Sequence, residues 1–162
     1  MHSGIRYRLT RAIIIAAAVA VLCAPGVDAW AEAPAASGCT LRIHVDGFRN
    51  ARGNLGTVVF ASAEGWPEDT HKAFRAGPAP IDGSSHSAMG VWPDLPPGDY
   101  AVAAIHDENG NAKLDRNLFG IPKEGFGFAN NSHVTFSAPA FYKAVVHVGC
   151  PSTDITIHLL YK

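Results

Sequence analysis

Several absences narrow the reading before any motif is considered. The 162-residue chain has three cysteines and no Cys-x-x-Cys, so thiol–disulfide exchange chemistry has no motif to rest on. It has no basic stripe and no Arg/Lys cluster, so a nucleic-acid partner is not expected. No Gly-x-Ser-x-Gly, P-loop or dinucleotide fingerprint occurs. No His-x-His or His-x₃-His pair supports a zinc or copper site among His44, His106, His147 and His158. Long helical periodicity and internal repeats are also missing. Only one apolar run is conspicuous, Ala12 to Ala24, and at about 13 residues it is short of the roughly 20 needed to cross a bilayer.

That run follows Arg6, Arg8 and Arg11, and small-residue sites follow it at Ala29 and Ala31. The layout predicts a secretory signal peptide over 1–31, cleaved after Ala29 or Ala31, with a retained anchor as the alternative. Cys23 lacks the small residue that a lipoprotein signal wants before its cysteine. Cleavage after Ala31 leaves ten basic and thirteen acidic residues, net −3. An Ala/Pro-rich linker over 32–38 precedes the domain, 39–162, which is long enough for one real core. The two remaining cysteines, Cys39 and Cys150, flank it. In an exported protein an even count favours a disulfide, with two free thiols as the alternative. The expected location is periplasmic or secreted, the expected partner an unidentified envelope or extracellular component, and no mature segment is apolar enough to span a membrane.

Within the domain the period is two. Leu41, Ile43 and Val45 alternate with polar residues, and Leu55–Ala61 is dense in β-branched and aromatic residues. These two strands are expected to form an antiparallel hairpin across the Asn50–Asn54 turn. Pro67 with Glu68 and Asp69 predicts a helix of two turns ending near Phe74, crossing between sheets. Further strands are expected near Ser87–Trp92, from Tyr100, over Lys143–Val148 and over Asp154–Tyr161, with a helical turn within Phe136–Tyr142. Asp94–Tyr100 (DLPPGDY) has the spacing of a tyrosine corner. If Tyr100 faces inward, so do Val102, Ala104 and His106. About seven strands, one short helix and a long loop make an all-β, immunoglobulin-like or prealbumin-like antiparallel sandwich the expected fold.

The long loop is His106–Asn131, HDENGNAKLDRNLFGIPKEGFGFANN. Numbered from Asp107, side-chain oxygens fall at positions 1, 3, 5 and 9: Asp107, Asn109, Asn111 and Asp115. Lys113 at position 7 offers its carbonyl. Ca²⁺ wants six to eight oxygens, and this is most of an EF-hand-type loop. Two departures count against it: position 6 is Ala112 instead of glycine, and position 12 is Leu118 instead of glutamate. Glu124, Asn117 or Asn130 would have to add oxygens. The competing reading is turn chemistry without an ion, since Asn, Asp and Gly form turns unaided. A third is a hydrolase using Asp107, Asp115 or Glu124 with His106 as base. Phe119, Phe126 and Phe128 form either a ligand-binding lip or anchors that fold the loop back.

Asp94–Asn131 as a whole closely resembles the signature of the exported bacterial family called domain of unknown function 2141. The resemblance extends from the strand near Leu41 to the last strand. Many members carry glycine where this chain has Ala112, and serine where it has Ala129. The resemblance implies a secreted or periplasmic immunoglobulin-like or prealbumin-like sandwich, and implies no activity or catalytic residue. A non-catalytic domain presenting the 106–131 loop, with Ca²⁺ as its candidate cofactor, is the first reading; a purely structural envelope domain is the plainest one.

Overall fold

A computed structural model describes residues 38–135 and 137–162. The expected leader, and all of the expected linker except Gly38, lie outside the described residues, as does Phe136. Alternation of burial builds the fold. In β1 (Cys39–Asp46) every odd-numbered residue is buried and every even one half-exposed. The strand lies in a four-stranded sheet with β4 (Ile81–Asp82), β5 (Ser87–Leu95) and β9 (Ser152–His158), in the order β4-β5-β1-β9. The second sheet holds β3 (Arg75–Ala79), β2 (Asn54–Phe60), β6 (Gly98–Asp107) and β7 (Phe126–Phe128) in that order. β8 (Val145–Val148) pairs with the first half of β6 and β7 with the second half. The inner faces of both sheets meet in one core containing Leu41, Ile43, Leu55, Val59, Val102 and Ile157. The protein is therefore an all-β, two-sheet sandwich.

Four expectations change. β1 and β2 form no hairpin: β1 pairs with β5 and β9, and β2 with β3 and β6. Both strands bury one face, and they bury it into the same core from opposite sheets. β1 and β9 run parallel, so the sandwich is mixed and not wholly antiparallel. The segment between β2 and β3 makes successive turns instead of a two-turn helix, with Gly65 at φ +78° and bonds such as Lys72 N–H to Asp69 O at 2.9 Å. Trp66 accounts for this path: its indole N–H donates to Pro139 O at 2.9 Å and its ring packs on Phe60, Phe128 and Phe141. The segment also joins two strands of one sheet and does not cross between sheets. Nine strands occur among the described residues, with 3₁₀ turns at Ala129–Asn131 and Phe141–Ala144 as the helical content.

Other expectations hold. Tyr100 is buried and its hydroxyl donates to Pro96 O at 2.9 Å, which is the tyrosine corner. Cys39 and Cys150 form a disulfide. Cys39 opens β1 and Cys150 lies two residues before β9, its parallel neighbour, so pairing brings them together.

Candidate functional site

The 106–131 stretch leaves β6 at its end, and parity splits its first two residues. His106 points inward and Asp107 outward. His106 is fully buried; its Nε2 lies 2.8 Å from Arg52 O and its Nδ1 2.7 Å from the Tyr161 hydroxyl. A carbonyl only accepts, so Nε2 donates to it; the Tyr161 hydroxyl can pair with Nδ1 as donor or acceptor. Tyr161 Oη in turn accepts the Arg49 backbone N–H at 3.1 Å, and the Arg49 guanidinium lies 4.8 Å from the Tyr161 ring centroid. Glu108 completes the group, 3.8 Å from His106 Nδ1 and bonded by Arg49 Nε at 2.7 Å. Tyr161, Arg49 and Glu108 were not singled out from the sequence. The step of two in the expected strand Asp154–Tyr161 puts Tyr161 on the face of Ile155, Ile157 and Leu159, a signal for Tyr161 alone.

Burial raises the Tyr161 phenol above its ordinary value of 10.0; the Arg49 backbone N–H and charge oppose the rise, and the Glu108 charge adds to it. A raised phenol favours the neutral folded form. Its stabilisation is complete below pH 10 and is lost as pH rises through the folded value. Urea melts between about pH 8 and 11 test this: the stability difference between wild type and Tyr161→Phe should be about 1 kcal/mol at neutral pH, from the lost hydrogen bond. It should shrink above pH 10. A constant difference across that range would contradict the assignment.

Asp107 faces the loop. One carboxylate oxygen accepts the N–H of Gly110 at 2.8 Å and of Asn111 at 3.0 Å, and the other accepts that of Ala112 at 2.8 Å. Asn109 Oδ1 accepts Asn111 N–H and Asn111 Oδ1 accepts Lys113 N–H. The amide nitrogens of Asn109 and Asn111 both donate to the Asp115 carboxylate, at 2.7 and 3.1 Å. Asp107, Asn109, Asn111 and Asp115 thus fold into one tight turn. Among the described residues, no group of three or more His, Cys, Asp or Glu side chains is placed to hold a metal ion; Asp107 and Asp115 are the two carboxylates of this turn. The left-handed backbone falls at positions 4 and 6, Gly110 at φ +74° and Ala112 at φ +60°. The EF-hand gives the second of these to glycine.

The other proposed oxygens serve elsewhere. Glu124 is buried, and its two oxygens accept Glu108 N–H at 2.8 Å and Asp115 N–H at 3.0 Å, bracing both ends of the turn. Asn117 Oδ1 accepts the N–H groups of Phe119 and Ile121. Asn130 donates to Lys143 O and Val145 O. Of the hydrolase residues, His106 is buried against Arg52 O and the Tyr161 hydroxyl, and the Asp107 and Glu124 carboxylates accept backbone N–H groups. The acid nearest His106 is Glu108.

The aromatic tail divides. Phe126 and Phe128 are buried, whereas Phe119 is 87% exposed. The alternation of Gly125-Phe126-Gly127-Phe128 has a steric cause. A Cβ on Gly125 would lie 2.5 Å from the Tyr161 ring, and one on Gly127 2.6 Å from the Ile157 side chain. The glycines let β7 press against the β9 segment while both phenylalanines face outward.

The fold and this loop define a small all-β sandwich with an acceptor-rich surface loop. The model of a family described as uncharacterized protein conserved in bacteria (DUF2141) matches residues 43–156, and the chain belongs to that family. Comparison with curated proteins and with solved structures finds no match.

Proposed function

We propose that this is an exported, non-catalytic binding domain whose working surface is the 106–131 stretch, with Ca²⁺ organising Asp107–Asp115. The Cys39–Cys150 disulfide supports an oxidising compartment. The ion reading is carried by the backbone of Ala112, which at φ +60° adopts the left-handed turn required at position 6 of a calcium loop. A non-glycine residue there costs about 1 kcal/mol or more.

Asp107, Asn109, Asn111 and Asp115 supply hard side-chain oxygens, and Lys113 supplies a carbonyl. Water completes the shell. Binding would replace the two amide bonds to Asp115 and the bonds by which the Asn109 and Asn111 amide oxygens accept the Asn111 and Lys113 N–H groups. With two carboxylates the affinity falls in the roughly 0.1–1 mM class of extracellular calcium modules.

Thermal melts of the mature protein in EDTA and in Ca²⁺ test the reading. At about ten times Kd the ion adds roughly 1.4 kcal/mol, a rise of several degrees. Asp115→Ala should abolish the rise while leaving the EDTA melt nearly unchanged, since its side chain bonds only to the two amides. Ala112→Gly should raise the EDTA melt. No calcium-dependent shift in wild type would leave a structural domain with a self-sufficient turn.

A further inference from the structure

The tip of the 106–131 loop stands clear of the domain. Leu118 and Phe119 are the most exposed large apolar residues, and a Cβ at Gly120 beside them would meet no atom within 4 Å. The tip is held as one turn. Gly120 N–H donates to Asn117 O at 2.9 Å and Asn117 N–H to Ile121 O at 2.8 Å, while Asn117 Oδ1 accepts the N–H groups of Phe119 and Ile121. The two side chains therefore form a projection that docks with little further loss of backbone freedom. A recess lies beside it. Gly56 and Val58 of β2, Ala76 of β3, and Ala103 and Ile105 of β6 floor a cavity of about 1090 Å³ on the outward face of the second sheet. Phe119, Ile121 and Pro122 stand at its rim, so projection and recess share one face.

Exposed apolar side chains rimming an apolar recess mark an interaction site. Occupants differ in what they cover. A small ligand fills the recess and leaves Leu118, which does not line it, in water. A bilayer takes the projection and leaves the recess open. A partner that covers both must carry a recess for the tip and an apolar projection for the floor. This chain carries both, side by side. A two-fold rotation presents each to its counterpart, and such isologous pairing is the commonest form of oligomer. Charge agrees with self-pairing. Glu68, Asp69 and Asp107 line the recess together with Lys113, Arg116 and Lys162. Three of each sign leave the face neutral. That balance selects no charged ligand and no anionic headgroup, and it lets two copies of the face meet without net repulsion.

We propose that two copies of this chain form a two-fold dimer through this face, with Leu118 and Phe119 of each seated in the β2/β3/β6 recess of the other. The inference rests on reading 106–131 as a binding surface, gives that surface a second copy as its partner, and does not need the ion.

Sedimentation equilibrium of the mature, disulfide-intact protein in EDTA tests it. A reversible monomer–dimer equilibrium with no larger species is expected, since an isologous contact closes on itself. Phe119→Asp removes the projection and Ala76→Trp fills the recess. Both residues are exposed, and far-UV circular dichroism confirms that the variants fold. Each should weaken dimerisation at least about tenfold. Mixing the two variants, one of them fluorescently labelled, separates a projection-in-recess contact from a merely disturbed surface. The mixed pair keeps one intact projection facing one open recess, so dimer should form more strongly in the mixture than in either variant alone. Monomer throughout the concentration range, an open series of larger species, unchanged dimerisation in either folded variant, or no recovery on mixing overturns the proposal. So does co-flotation of monomer with phosphatidylglycerol vesicles that is lost in Phe119→Asp, which assigns the tip to a membrane. A calcium-dependent melting shift without dimer sinks only this inference, and dimer without that shift sinks only the ion.

Discussion

Asp107→Ala should destabilise the domain by about 2–4 kcal/mol, and the loss should appear in EDTA as fully as in calcium. The carboxylate accepts three backbone N–H groups within the six residues Asp107–Ala112. A charged acceptor makes each bond stronger than a neutral one, and each donor left without a partner costs about 1–3 kcal/mol when water cannot reach it. Gly110, Asn111 and Ala112 are exposed residues, so water recovers part of that sum. Asp107→Asn keeps the acceptor for Gly110 and Asn111 and presents an NH₂ to Ala112 N–H, so its cost should fall near half. Asp115→Ala is the internal control: Asp115 accepts no backbone N–H with its side chain. Urea melts of the three variants read this directly. Equal destabilisation by Asp107→Ala and Asp115→Ala would mean that the turn is held by something other than the Asp107 carboxylate.

This division between Asp107 and Asp115 is not legible from the D-x-N-x-N spacing, which places four oxygen-bearing side chains and leaves their acceptor duties open. What spacing conveys well is local. The alternation in Leu41–Val45 assigns a buried face to β1, and Pro-Pro-Gly followed by Tyr100 specifies a corner that the Tyr100–Pro96 bond closes. The inward parity of His106 follows from the same step of two. Partner choice is not local. Nothing near Leu41 or Leu55 says that these strands belong to opposite sheets, because both alternations are satisfied by any apolar surface across from them. Likewise Pro67 with two acids fits a helix start, and the Trp66–Pro139 bond that reshapes the segment links residues 73 apart. The glycines at 125 and 127 reveal their purpose only once β9 lies against them.

The same non-local pairing gives the disulfide a large share in holding this fold together. Replacing both Cys39 and Cys150 by serine should cost about 4 kcal/mol, in the roughly 2–5 kcal/mol range for removing a native bridge from a small exported domain. The bridge spans 111 residues, nearly the whole domain, so reduction releases almost the entire chain at once. Two features place the cost in the unfolded state as well as the folded one. β1 and β9 pair in parallel with no hairpin to hold them in register, and a parallel pair separated by the length of the domain carries a large closure entropy. Cys39 is itself fully buried beside Leu41, Leu95 and Val148 in the core cluster, so serine there adds the penalty of a buried hydroxyl. Cys39→Ala with Cys150→Ala separates the two effects: it should recover the hydroxyl penalty and retain the loss of closure. Melts of wild type with and without reductant give a third measure, and reduced wild type should match the alanine pair within about 1 kcal/mol. If reduced wild type melts like the oxidised protein, β1–β9 pairing is self-sufficient and the bridge is not what holds the ends of this domain together.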